Sequence, residues 1–164
     1  MTATTGAALA LLAGCSGGLH VPAPVTTGAA AAQCRSLHAL LPPTLMGQKR
    51  RSSSPASDNT AAWGDPAITV RCGVAEPGPL DPRAADYDPT ELHTVWVLVD
   101  GVCWLTQPPA DNGGGFTFTT VKQQTYVQVH VPGAYAGQSY PLPALAGPVL
   151  KADPANPDSA YDCA

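Results

Sequence analysis

Four cysteines, four histidines and a tryptophan followed closely by an arginine are the residues of this 164-residue chain whose chemistry merits attention first. Cys34, Cys72, Cys103 and Cys163 are an even set that would pair in an oxidising compartment, and four thiols permit three connectivities. A redox or nucleophilic Cys103 would need a CxxC partner or a basic neighbour to lower its pKa. It has neither, and its apolar surroundings raise the pKa. His20, His38, His93 and His130 are too scattered for metal-ligand spacing. The acidic run from Asp81 to Glu91, DPRAADYDPTE, lacks EF-hand spacing and is rich in turn residues, so it reads as a solvated loop. GxSxG, HExxH, P-loop and GxGxxG segments are absent, and Gly113-Gly114-Gly115 reads as a loop before a strand. The expectation is a chain with no catalytic residue, no metal and no cofactor. One candidate ligand groove stands out. Trp63 beside Gly64, with Arg71 on the strand that follows, would offer an indole face and a guanidinium to an anionic or sugar-like component. The structural alternative has Trp63 capping a sheet edge and Arg71 paired with a carboxylate.

The fifth cysteine, Cys15, sits in a different context. Gly6 to Ala13, GAALALLA, is too short to cross a bilayer at ~1.5 Å per residue but has the length of a signal-peptide core. It ends in Leu12-Ala13-Gly14-Cys15, which matches the lipobox of bacterial lipoprotein precursors. The small residues let a signal peptidase approach the backbone, and the cysteine sulfur carries the diacylglycerol. Acyl chains there attach a protein to a membrane without any helix. Residues 1–14 are therefore expected to be a signal peptide. Met1 to Gly6 holds no Lys or Arg, so the positive start of that signal is expected upstream of Met1. Ser16 to Ala32 is Gly, Ala, Pro and Thr with almost no charge, and residues 15–32 are expected to form a flexible tether.

The elements that must position these residues are short. Pro 18 and Gly 16 together exceed a fifth of the chain, which favours many turns over long helices. Charged residues are 12%, about half the usual share, and the formal charge is −4, so no basic stripe for nucleic acid exists. Lys49-Arg50-Arg51 beside three serines reads as a solvated loop. Cys34, Leu37, His38 and Leu41 fall at i, i+3, i+4 and i+7, predicting a helix of about two turns that Pro42-Pro43 stops. Ala67 to Val74 reads as a strand, with Ile68, Val70, Cys72 and Val74 on one face and Thr69 and Arg71 on the other. In His93 to Gln107, Asp100-Gly101 between two apolar runs predicts a type I′ hairpin in which Val99 opposes Val102 and Trp96 opposes Leu105. Both faces of that hairpin are apolar, so it is expected to be central and covered on both sides. Phe116 to Thr120 and Tyr126 to Val131 form a second hairpin, with Gln128 and His130 on a polar face. Leu142 to Leu150 is a candidate C-terminal helix. The expected fold is α+β: a small antiparallel sheet, a meander of hairpins, with one or two short helices packed on it over residues 33–150. A Pro/Asp-rich tail, 151–164, follows.

Several of these segments occur in a recognisable order. Cys34-Arg35-Ser36-Leu37 through Leu41-Pro42, Leu45 with Gly47 and Arg50-Arg51, Ala62-Trp63-Gly64-Asp65-Pro66 and Arg71-Cys72-Gly73-Val74 together resemble the DUF3515 family of actinobacterial predicted exported proteins. The likeness runs from about Cys34 to Val149. It implies export and supports the domain limits, but carries no activity. Cys103 and Cys163 depart from the family pattern, and their joint occurrence implies that they pair. The expected bonds are then Cys34–Cys72, which by loop-closure entropy would stabilise the fold by roughly 4 kcal/mol, and Cys103–Cys163, which would bind the tail to the hairpin. The function this supports is a lipid-anchored protein on the outer face of the cytoplasmic membrane that binds or scaffolds an envelope component or protein without catalysis. The alternatives are an accessory envelope enzyme using carboxylates not placed by sequence, and a thiol-redox protein.

Overall fold

Period-two alternation of apolar side chains marks the strands that carry one face of the main core, and most strands join one sheet. The computed structural model describes residues 19–87, 95–109, 114–135, 141–159, 161 and 163. Its strands are β1 (Leu19–His20), β2 (Thr44–Leu45), β3 (Gln48–Arg51), β4 (Ser53–Ser54), β5 (Thr60–Trp63), β6 (Ile68–Cys72), β7 (Val95–Val99), β8 (Val102–Gln107), β9 (Phe116–Thr120) and β10 (Val127–Val131). Two helices, α1 (Gly28–Leu40) and α2 (Leu142–Ala152), complete the fold. Eight strands pair antiparallel in the order β2-β3-β5-β6-β10-β9-β8-β7, and β1 pairs β4 in parallel. The class is α+β, an antiparallel sheet with two helices.

The Asp100-Gly101 turn sets the β7–β8 register. Asp100 at φ 46 and Gly101 at φ 84 are both left-handed, as a type I′ turn requires, and Val99 faces Val102 while Trp96 faces Leu105. This hairpin is not central, however: β7 is an edge strand, and β10 inserts beside β6. Its two apolar faces serve two separate cores. On one side Val102 and Trp104 join the main core with Cys34, Leu37, Ile68, Val129, Leu145 and Val149, beneath α1 and α2. On the other side Cys103 and Leu105 pack with Leu80 and Val121 in a smaller cluster, against which Trp96, Tyr161 and Cys163 lie. Two-sided burial was thus readable from composition, whereas position in the sheet depended on long-range pairing. Helix α2 tolerates its prolines because Pro143 stands in the first turn, where no intrahelical N–H bond is lost; Pro148 removes one bond further on.

Two expectations are corrected here. The tether expected over 15–32 is ordered from Leu19 onward. Val21 is buried, its amide donates to the Ser54 carbonyl at 3.1 Å, and Asn59 Nδ2 donates to the Pro24 carbonyl at 2.7 Å. The helix begins at Gly28 instead of Gln33, because Ala29 to Ala32 are strong helix formers whose lack of charge had suggested a linker. Lys49-Arg50-Arg51 is likewise part of strand β3 and not a solvated loop, with Arg50 opposite Trp63. The signal peptide expected over 1–14 and Cys15 lie outside the described residues. Among the described residues, no helix is long and apolar enough to cross a membrane.

Two disulfides tie helix α1 and the C-terminal tail to the sheet. Cys34–Cys72 joins α1 to β6, and Cys103–Cys163 joins β8 to the C-terminal tail. The tail is held along its length. Gln124 N donates to the Pro154 carbonyl at 3.1 Å, Ser159 Oγ to the Val121 carbonyl at 2.9 Å, and Tyr161 Oη to the Leu80 carbonyl at 2.8 Å, while the Tyr161 ring stacks on Trp96. At its root Asp153 is 1% exposed and its carboxylate accepts the Thr125 amide at 3.1 Å.

Burial raises the Asp153 carboxyl to about 6, against the partial opposition of the backbone donors Thr125 and Gln124. The folded state therefore holds a proton that the unfolded chain, near 3.8, has already released. Between these two values the native state binds more protons, so stability falls as pH rises through that window and is flat above it. The size of the effect is roughly 2–3 kcal/mol. Thermal melts from pH 4 to pH 7 should show this decline in the wild type but not in Asp153→Asn. Parallel profiles for the two proteins would remove Asp153 as its source.

Candidate functional site

The Trp63–Gly64–Arg71 groove does not form. Trp63 pairs with Ile68 and points into the main core at 0% exposure, with Nε1 donating to the Pro42 carbonyl at 3.0 Å. Arg71 lies three residues along β6 from Ile68, so alternation sends it to the opposite face of the sheet. Nor does the structural alternative describe them. Trp63 is core instead of an edge cap, and among the described residues Arg71 has no carboxylate partner: its Nε donates to the Pro22 carbonyl at 3.1 Å and its Nη1 to Gln128 Oε1 at 3.3 Å. Gly64 serves the β5–β6 turn. It sits at φ +74, and a Cβ there would meet the Tyr135 hydroxyl at 2.7 Å, which itself donates to the Pro66 carbonyl.

Arg71 does line a groove, with different company. Along the sheet face opposite the helices, the polar side of β6, β10, β9 and β8 presents Arg71, Gln128, His130, Thr117 and Gln107. The alternation of VQVHV in β10 is the cause, since its valines fill the core and leave the amide and imidazole on the other side. Two open grooves occupy this face and share Gln107 and Gln128 as a common wall. The first, of about 720 Å³, runs past Arg71 and Glu76 under Pro24 and Val25. The second, of about 510 Å³, runs past Thr117 and His130 between Pro108, Pro109 and Gly115. The N-terminal segment forms one bank, because the Arg71–Pro22 bond brings it onto this face.

The trough is polar but carries little net charge. Burial lowers the His130 pKa, favouring neutral imidazole, and the ring Nδ1 lies 3.3 Å from Thr117 Oγ1. Glu76 accepts from the Tyr126 hydroxyl at 3.1 Å; burial, then the nearby Glu76 charge, pushes that phenol up to about 12. What faces a ligand is therefore one guanidinium, one carboxylate already holding the Tyr126 hydroxyl, two primary amides, a hydroxyl and a neutral imidazole, bordered by proline rings. Such a surface binds by hydrogen bonding and apolar contact and lacks an activated nucleophile. Gln107, Thr117 and Glu76 escaped the sequence reading, while Gln128 was placed on a polar strand face without a site role. The polar side of the Tyr126 to Val131 strand was the available signal, hidden because an alternating strand normally presents that side to bulk water.

Elsewhere the described cysteines are all bonded, so Cys103 is half of a disulfide and not a free thiol. Among the described residues no cluster of three or more His, Cys, Asp or Glu gathers to hold a metal. In the acidic segment Asp81 is engaged by Arg83 at 2.8 Å, which holds its carboxyl below the usual range, while Asp88 and Glu91 lie outside the described residues, as does His93. A family model described as a protein of unknown function (DUF3515) matches residues 7–157. No curated protein and no solved structure matches the chain.

Proposed function

The chain belongs to the DUF3515 family, whose function is unknown, and we propose that it is an exported, lipid-anchored binding module for a sugar-like polymer of the cell envelope. The polar trough carries the binding part of this reading. Its amides, hydroxyl and guanidinium suit the hydroxyls of a glycan, its prolines suit sugar C–H faces, and its low charge suits a largely neutral polymer. Two disulfides are in keeping with an oxidising compartment outside the cytoplasm. Leu12-Ala13-Gly14-Cys15 supplies the anchoring motif, with Cys15 as the acylated residue. Strand β1 begins at Leu19, four positions after that cysteine, so the domain would stand close to the membrane surface.

Co-sedimentation of the purified full chain with insoluble cell-wall glycan tests the trough. Wild type should sediment saturably, and Gln107→Ala and Gln128→Ala should each weaken binding by roughly three- to ten-fold, the cost of one hydrogen bond, with unchanged melting. Failure of wild type to sediment, or wild-type affinity in both variants, would refute a glycan trough. Cys15→Ser should separately move the protein from the membrane fraction to the soluble one.

A further inference from the structure

A further cavity lies at the C-terminal turn of α1, beside β3, β4 and β5, and it is cationic. Its volume is about 430 Å³, and its walls include His38 from α1, Arg50 and Arg51 from β3, and the hydroxyl-bearing Ser52, Ser53 and Ser57. Arg50 is held in place from behind. Its guanidinium carbon lies 5.7 Å from the centre of the Trp63 ring, and its Nη1 donates to the His38 carbonyl at 3.5 Å.

Among the described residues, the rest of the Arg50 guanidinium has no partner. Nη2 is buried without a hydrogen bond, as is His38 Nδ1, and among the described residues no carboxylate lies within ion-pair reach of Arg50. The other charges around the cavity are already matched. Arg51 donates to the Gly64 carbonyl at 2.9 Å and lies 3.5 Å from Asp65, while Asp58, at the exposed rim, faces Arg35 at 3.9 Å. A half-buried guanidinium without a counter-charge is costly unless something supplies one. The α1 C-terminus offers Arg50 part of that through the His38 carbonyl, but not to Nη2 or to the imidazole.

We propose that this cavity binds a phosphate group, with Arg50 as its charged anchor and His38 Nδ1–H and the serine hydroxyls as further donors. A tetrahedral oxyanion presents several acceptor oxygens to converging donors, and a planar fork such as Arg50 is suited to it. The cavity has room for the phosphate and part of the group that carries it. A soluble ester and a phospholipid headgroup both carry such a phosphate and share this chemistry. The inference is independent of the trough, with which the cavity shares no lining residue.

Titration of the full chain with inorganic phosphate, with glycerol phosphate and with a short-chain phosphatidylglycerol below its micellar concentration, read by NMR at the His38 ring, tests the site at constant ionic strength. Saturable shifts with any of the three, weakened about ten-fold or more in Arg50→Gln, support it. A response to the phosphatidylglycerol alone assigns the phosphate to a headgroup, and a response to the soluble phosphates assigns it to a free ester. His38→Gln should weaken the same ligand by several-fold, which keeps the test decisive if Arg50→Gln does not fold. Absence of saturable shifts with all three probes, or affinities unchanged in the variants, would overturn the proposal and leave Arg50 as a support for Trp63 and the end of α1.

Discussion

Trp63→Ala should lose about 3–5 kcal/mol of stability, enough to unfold a small domain of ordinary stability. The indole is fully buried in the main core, so truncation leaves a cavity the size of a bicyclic ring. It also strips the Pro42 carbonyl of its donor and removes the face on which the Arg50 guanidinium rests. Urea unfolding of the purified chain measures the loss. Comparison with Trp104 sharpens the expectation. Trp104 is equally buried, but its Nε1 has no partner among the described residues, so Trp104→Phe removes a donor that is already unsatisfied, whereas Trp63→Phe breaks a hydrogen bond. Trp63→Phe should therefore cost about 1 kcal/mol more than Trp104→Phe. A Trp63→Ala protein as stable as wild type would place the indole outside the core.

Cys34→Ala combined with Cys72→Ala should cost about 4 kcal/mol, the loop-closure entropy of a bond spanning 38 residues. That corresponds to a fall in melting temperature of roughly 15 °C for a domain of this size. The main core depends on this bond directly. Cys34 at 0% and Cys72 at 3% exposure join α1 to β6, and Gly73, at φ +81, brings the chain so close to Thr26 that a Cβ there would lie 2.1 Å from its Cγ2. Without the bond, α1 and the segment before it should loosen together, seen as faster amide exchange from Val21 to Leu41. Removing Cys103–Cys163 should instead release the tail and expose the small cluster around Leu105, with little change in α1. If the two double variants show the same exchange pattern, the two cores are not separate units.

Local chemistry explains why much of this architecture was legible. The Asp-Gly turn sets the β7–β8 register because left-handed φ values at two successive positions admit few other residues, and β6 and β10 declare their faces by strict alternation. The tether was misread because alanine is both a linker residue and the best helix former; burial of Val21 and Cys34 decides between them, and burial is not a local property. Arg50 was misread for a related reason. A run of three cations beside serines normally stays in water, and only pairing with Trp63 across β3 and β5 draws one of them inward.

The candidate site follows the same division. Periodicity, turn residues and cysteine count reveal which residues share a strand face and which thiols are available, since these depend on neighbours a few positions away. The order of strands in the sheet does not, because it results from pairings between segments dozens of residues apart. The insertion of β10 beside β6 puts Gln128 next to Arg71 and gathers the trough, while the same sheet turns Trp63 away from Arg71 and dissolves the groove their proximity in sequence had suggested. Side chains eight positions apart went to opposite faces, and side chains 57 positions apart became hydrogen-bonded neighbours.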